Sequence, residues 1–370
     1  MIPPKIEKAY SLKEIKKIWR NHILESKKGE DNISFYVHIP FCMSKCEYCR
    51  HFYWKYSYPE LLEIYIKALI KKMDFFKNVF LSIKFKTIYI GGGTPSLLNE
   101  KQLINLFEAL YKNFKFEKDG EKTFECNVYS TSLEKLKILE SYGINRISFG
   151  VQSTDKKILR LVNRGYQSFS LVKKAIEDAQ KCKKFKRINV DLVIGLWQDS
   201  AEKAVDSFSK VASLRPHSIA VYPLQPTREY LNKYYRGDEK YFYKELGEKV
   251  KKFFKLIQPI LRRYDYFYLF PDPMNVSTDA WNFISRNYHH YYKYSYDDTK
   301  AISCFSLGSG SSSYIFGKFR YQNVEGIYSS LWTGGWVKKI YRGIRFKNPE
   351  EYLKDRLSLK NQWYKKIDGN

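Results

Sequence analysis

Cys42, Cys46 and Cys49 stand in the run Phe41-Cys42-Met43-Ser44-Lys45-Cys46-Glu47-Tyr48-Cys49, a C-x3-C-x2-C spacing with no fourth cysteine nearby. Three thiolates can hold three irons of a four-iron, four-sulfur cubane and leave the fourth iron open. Such clusters usually take four cysteine ligands, so the missing one carries information. A metal with an unfilled position can bind a small molecule and act on it. Zinc completed by His38 or His51 is the competing reading, although zinc sites more often use paired C-x2-C units.

Other groups able to do chemistry follow along the chain. Gly91-Gly92-Gly93-Thr94-Pro95-Ser96 comes after a predicted strand. Its glycines let a backbone approach a ligand closely, and free N–H groups there can bind an anion. The G-x-G-x-x-G spacing of a dinucleotide site is absent. Glu125 and Asn127 share one face of a strand, where the carboxylate could hold a cation or join an internal salt bridge. Gly150-Val151-Gln152-Ser153, Arg164 and Asp191-Leu192-Val193-Ile194-Gly195-Leu196 complete the set. Tyr36, ahead of the triad, either hydrogen-bonds near it or packs.

In this order the motifs resemble the radical S-adenosylmethionine (SAM) superfamily, from about Tyr36 to Tyr222. Within it they resemble the group typified by the oxygen-independent coproporphyrinogen III oxidase and the related heme chaperone. The resemblance implies a [4Fe-4S] cluster on Cys42, Cys46 and Cys49, and one or two molecules of SAM. Tyr36, Gly92 and Glu125 would serve the first; Tyr48, Gly93, Thr94, Gln152, Arg164 and Asp191 would serve the second. For Arg164 the plainer alternative is a surface salt bridge. The implied reaction is cleavage of SAM to a 5′-deoxyadenosyl radical. The expected use is C-methylation or cyclopropanation of a specialised small molecule with a second SAM. The alternatives are oxidation of coproporphyrinogen III, or heme delivery. An electron donor such as flavodoxin or ferredoxin is implied. No catalytic residue is assigned. The chain departs from the group's pattern at Arg50-His51-Phe52, at Trp197-Gln198, where Pro is usual, and at Tyr288-His289-His290-Tyr291-Tyr292.

The elements that must position these residues alternate. Strands are predicted at 35–38, 87–90, 123–128, 146–150, 188–193 and 218–222, with helical periodicity between them. Leu133, Leu136 and Leu139 mark one helix, capped at Ser130 or Thr131 and stopped at Gly143. Repeated β/α units imply a parallel sheet with crossover helices. With the resemblance, the fold class is α/β, a partial (β/α)6 TIM-like barrel with a smaller C-terminal α+β domain. The expected divisions are an N-terminal extension (1–32), the barrel (33–230) and a C-terminal coproporphyrinogen-oxidase-like domain (231–370). A long helix is expected over 243–263, and a small-residue loop over 303–311.

Composition bounds the rest. The 370 residues carry 65 Lys and Arg against 39 Asp and Glu, a net charge of +26. Such a field favours anionic partners, so a small-molecule substrate, if charged, is expected to be anionic. A nucleic-acid partner rests on charge alone and is not expected. No run of apolar residues is long enough to span a membrane, and Met1-Ile2-Pro3-Pro4-Lys5 lacks a signal core, so a cytoplasmic location is expected. Cys126, Cys182 and Cys304 are scattered and read as small core residues.

Overall fold

The computed structural model describes residues 8–26, 32–269, 280–286, 303–315, 319–323 and 332–336. Six strands form its centre: β1 (Ile33–Ile39), β2 (Thr87–Gly92), β3 (Lys122–Cys126), β4 (Arg146–Gln152), β5 (Arg187–Ile194) and β6 (Ser218–Pro223). They lie side by side in chain order, and each adjacent pair is parallel. The helices Pro59–Phe76, Glu100–Asn113, Leu133–Ser141, Phe169–Lys181 and Ala201–Ser213 fill the crossovers. This is the α/β partial barrel expected, and all six strands fall where the β-rich runs were read.

The period of two decides what faces inward. On the helix-facing side stand Phe35 and Val37, Ile88 and Ile90, Phe124, Ile147 and Phe149, and Ile188 and Val190, all buried and apolar. The alternate positions are polar. Ser34 bonds Thr87, Thr123 approaches Arg146, and Ser148 bonds Asn189. The interior of the barrel is therefore a polar column, and its apolar face is spent on the helices.

The sheet does not stop at the expected boundaries. Ser303–Leu307 adds a further parallel strand beside β1, and Trp281–Ser285 adds an antiparallel one beside β6. Lys8–Ser11 joins the same sheet through Trp332–Trp336. The sheet thus crosses both position 32 and position 231. The small-residue stretch expected as a loop is largely this buried strand, with the turn confined to Gly308 and Gly310, both at positive φ. Small side chains suit a strand covered on both faces. Phe305 packs there between Phe35 and Trp19, at ring-centroid distances of 5.5 and 5.4 Å.

Two helix ends differ from the reading. The cap of Leu133–Ser141 is Ser132, whose hydroxyl accepts from the N–H of Lys135, not Ser130 or Thr131. Those two instead bond Ser96 and the carbonyl of Asn127. The long helix runs Glu239–Tyr264, slightly beyond the expected bounds. Tyr288-His289-His290-Tyr291-Tyr292 lies outside the described residues.

Gly92 closes β2 with φ +114°, and an added Cβ would sit 2.5 Å from the His38 ring. A left-handed backbone and a collision with a buried ring both penalise a side chain. We expect Gly92→Ala to lower unfolding free energy by about 3 kcal/mol, read as a lower denaturant midpoint.

Candidate active site

The C-terminal ends of the six strands open into a cavity of about 420 Å³. Ligands collect at this end of parallel β/α folds because the loops that follow the strands converge there. Cys42, Cys46 and Cys49 line it, with Tyr48, Gly92, Gly93, Thr94, Glu125, Gln152, Arg164 and Asp191. Eleven of the twelve residues expected from sequence therefore meet in one space. Tyr36 is the exception and lies beneath the lining.

The three thiols are half-buried and free. Their loop leaves β1 through Phe41–Cys42 and is held along its length by the segment after β4. The N–H of Glu47 donates to the Val162 carbonyl at 3.4 Å, and Ser44 donates to the Asn163 carbonyl at 3.0 Å. The Asn163 amide donates to the Lys45 carbonyl and to Glu47 Oε1, at 3.1 and 2.8 Å. Asn163 reaches both from a left-handed backbone, φ 60°. On the other side Glu47 pairs with Lys233 at 2.9 Å, Lys45 with Glu229 at 3.3 Å, and Arg50 donates to Gln225 at 2.6 Å. Sequence reading missed these clamps, which join residues far apart in the chain.

Thr94 and Arg164 approach the sulfurs. Thr94 Oγ1 lies 3.6 Å from Cys42 Sγ, and Arg164 Nη1 lies 3.5 Å from Cys46 Sγ. Burial pushes the Cys42 thiol up to about 12 and raises Cys49 as well. A bound metal group would deprotonate them outright. Arg164 is only 6% exposed, so it is not a surface salt bridge. Its Nη2 donates to both the Gly150 carbonyl and Gln167 Oε1, and its Nε is buried without a hydrogen-bond partner among the described residues.

Glu125 is fixed by Tyr89, which donates to Oε1 at 2.6 Å, and by the Gly92 N–H, which donates to Oε2 at 3.0 Å. No described cation sits within salt-bridge distance of it, so the internal salt bridge is not what it makes. The Gly93 N–H donates to the Ile39 carbonyl at 2.8 Å. The N–H groups of Gly92 and Gly93 are thus already used, which corrects the idea of free donors there. What the glycines offer is a wall without side chains. A Cβ on Gly93 would lie 2.7 Å from the Phe41 carbonyl oxygen.

Gln152 ends β4 with φ 69°, beside a shift in register against β5. Such an irregularity re-aims a side chain, here toward the cavity. Asp191 accepts from Ser148 at 2.9 Å and from Asn189 at 2.7 Å. Burial raises its carboxyl to about 6. Tyr48 is raised by burial beside Cys46.

Of the two histidines that could complete a zinc site, His51 lines the cavity and His38 offers no nitrogen to it. His38 Nε2 faces the Phe52 carbonyl at 3.1 Å, and its Nδ1 faces the Tyr36 hydroxyl at 3.0 Å. A carbonyl only accepts, so Nε2 carries the proton and Tyr36 donates to Nδ1. Burial lowers His38 to about 4, so it stays neutral. Both ring nitrogens are engaged, and neither is left for a metal. Among the described residues no three His, Cys, Asp or Glu side chains gather as they would around a single ion. Three thiols spread over one loop, around a space of this size, fit a larger group such as a cubane.

Residues 36–208 match the family described as the Radical SAM superfamily. This stretch is a radical SAM domain. The domain's relatives agree. The oxygen-independent coproporphyrinogen III oxidase of Escherichia coli is 32% identical over 196 residues, covering 52% of this chain and 42% of that one. The heme chaperone HemW of Haemophilus influenzae is 35% identical, covering 52% and 51%. The heme chaperone HemW of Lactococcus lactis is 28% identical over 321 residues, covering 86% and 78%. The chain thus spans about half the length of the first two. The structure of coproporphyrinogen III oxidase (HemN) from Escherichia coli superposes with a TM-score of 0.66 at 21% identity, covering 91% of this chain and 78% of that one, and shows the shared fold. Radical SAM domains use a [4Fe-4S] cluster and SAM. Among the described residues no helix is long and apolar enough to cross a membrane.

The departures now have neighbours. Trp197 stacks on Tyr234 at 5.2 Å, and its backbone N–H donates to the Tyr230 hydroxyl. Arg50 belongs to the clamp on the cysteine loop.

Proposed function

We propose that this chain binds a [4Fe-4S] cluster through Cys42, Cys46 and Cys49, cleaves SAM beside it, and serves tetrapyrrole metabolism. The observation that carries the first part is the meeting, in one cavity, of three loop thiols with a carboxylate, Glu125, that has no cation partner among the described residues. When bound, the reduced cluster supplies the electron that splits SAM into methionine and a hydrogen-abstracting 5′-deoxyadenosyl radical. The protein's residues do the rest. Glu125 would hold the methionyl ammonium, its geometry fixed by Tyr89 and Gly92. Arg164 would set the loop by its contacts with Cys46 and the Gly150 carbonyl. Tyr48, Gly93, Thr94, Gln152 and Asp191 would hold a second ligand, whether SAM or substrate. Tyr36 would act at one remove, through His38.

The tetrapyrrole reading rests on similarity to an oxidase and to heme chaperones, above all on the alignment over 86% of this chain. None of the relatives named above points to the expected C-methylation or cyclopropanation, so that reading becomes an outcome of the test. Anaerobically reconstituted protein, given SAM and reductant, is expected to release 5′-deoxyadenosine. With coproporphyrinogen III, carbon dioxide release marks an oxidase; stoichiometric heme binding with little turnover marks a chaperone. S-adenosylhomocysteine formed along with deoxyadenosine would overturn both in favour of methyl transfer. Flavodoxin or ferredoxin is the proposed reductant class.

A further inference from the structure

One chain of hydrogen bonds runs up the inside of the barrel and ends on Asp191. Arg187 Nε donates to Ser218 Oγ at 2.8 Å, and Ser218 donates to Asn189 Oδ1 at 2.6 Å. Asn189 Nδ2 donates to Ser148 Oγ at 2.9 Å and to Asp191 Oδ1 at 2.7 Å. Ser148 donates to Asp191 Oδ2 at 2.9 Å. Asn189 and Ser218 are wholly buried and Ser148 nearly so, and the three are cross-strand partners in register.

The direction of every proton follows from the first group. A guanidinium has no acceptor, so Ser218 must accept from it and turn its own proton to Asn189. That fixes the carboxamide, oxygen toward Ser218 and nitrogen toward Asp191. Ser148 then accepts from Asn189, and its proton is left for Asp191. Both carboxylate oxygens therefore face donors. A protonated Asp191 would set an O–H against one of them.

We propose that Ser148 and Asn189 are positioning residues that hold Asp191 in the cavity as a fixed anionic acceptor, with Ser218 and Arg187 anchoring them from the opposite end of the barrel. The ligand group such an acceptor takes is a hydrogen-bond donor, a hydroxyl or an ammonium. That this ligand is a small molecule in the cavity rests on the function proposed above; the control of Asp191 does not. Burial raises this carboxyl, Arg146 and the two donors lower it, and Glu125 raises it. Tyr89 is the other titratable group whose field it shares.

The test is an infrared titration of the full-length reconstituted protein, with the Asp191 band identified by its loss in Asp191→Asn. Ser148→Ala is expected to bind the proton about tenfold more tightly, moving the midpoint up by about one pH unit. Ser218→Ala, which never touches Asp191, moves it the same way by less. Ser148→Thr keeps the hydroxyl and the parent midpoint. An unmoved midpoint in Ser148→Ala or Ser218→Ala overturns the proposal, and so does a Ser148→Thr midpoint that moves as far as alanine's. Failure of the parent protein to bind SAM would instead strike the functional reading and leave this titration standing.

Discussion

Alanine at Cys42, Cys46 or Cys49, one at a time, is expected to bring iron incorporation, the cluster chromophore and SAM cleavage down to background. Two thiolates cannot hold a cubane against solvent, and none of the other described cysteines lies on the loop that carries the triad. Cys182 and Cys304 are buried in the core; Cys126 also lines the cavity, but it is almost fully buried and lies on β3, outside the loop that carries the triad. The fold should survive, because the loop is held by contacts that do not involve the sulfurs: Asn163 to Lys45 and Glu47, and Glu47 to Lys233. The measurement is iron and sulfide content beside the unfolding midpoint of each variant. Stoichiometric iron in any one of them would remove that cysteine from the ligand set. Full zinc occupancy in the parent protein purified without oxygen would remove the cluster.

Glu125→Gln should separate charge from shape. Glutamine matches the carboxylate in size, and its amide can keep both neighbours: the oxygen accepts from the Gly92 N–H, and the nitrogen donates to the Tyr89 hydroxyl. Stability should therefore change by no more than about 0.5 kcal/mol. What is lost is the negative charge opposite a ligand ammonium. A hydrogen bond to a charged partner contributes about 1.5–3 kcal/mol, so affinity for SAM should fall roughly tenfold to a hundredfold. Equilibrium dialysis of cluster-loaded protein reads it. Parent-like affinity would show that Glu125 braces the Gly-rich turn and holds no ligand.

Much of the site was legible because its residues obey short-range rules. The strands at 146–150 and 188–193 could be read from the one-dimensional pattern, which put Gln152 just past the end of one and Asp191 within the other; in the structure Gln152 ends β4 and Asp191 lies inside β5. The cysteine triad was legible because its ligands lie within one loop. Arg164 was less so. Six apolar and basic residues, Lys156–Leu161, precede it, and nothing local says that its side chain turns inward. Ser132 was passed over as a cap because Ser130, Thr131 and Ser132 are equivalent in type, and only packing commits the first two elsewhere.

What the amino-acid order determined by itself was the alternation of β and α units and the order of the motifs along them. Both depend on residues a few positions apart, whose periodicity and turn chemistry act before any tertiary contact forms. Tertiary structure alone decided that strands from both ends of the chain complete the same sheet, since a small-residue run such as 303–307 becomes a strand only beside β1. It also decided which donors hold Glu125 and Asp191, and which nitrogens of His38 are already used. Those are pairings between residues 2 to 43 positions apart. Their energy depends on distance and direction in space, and no spacing along the chain encodes that.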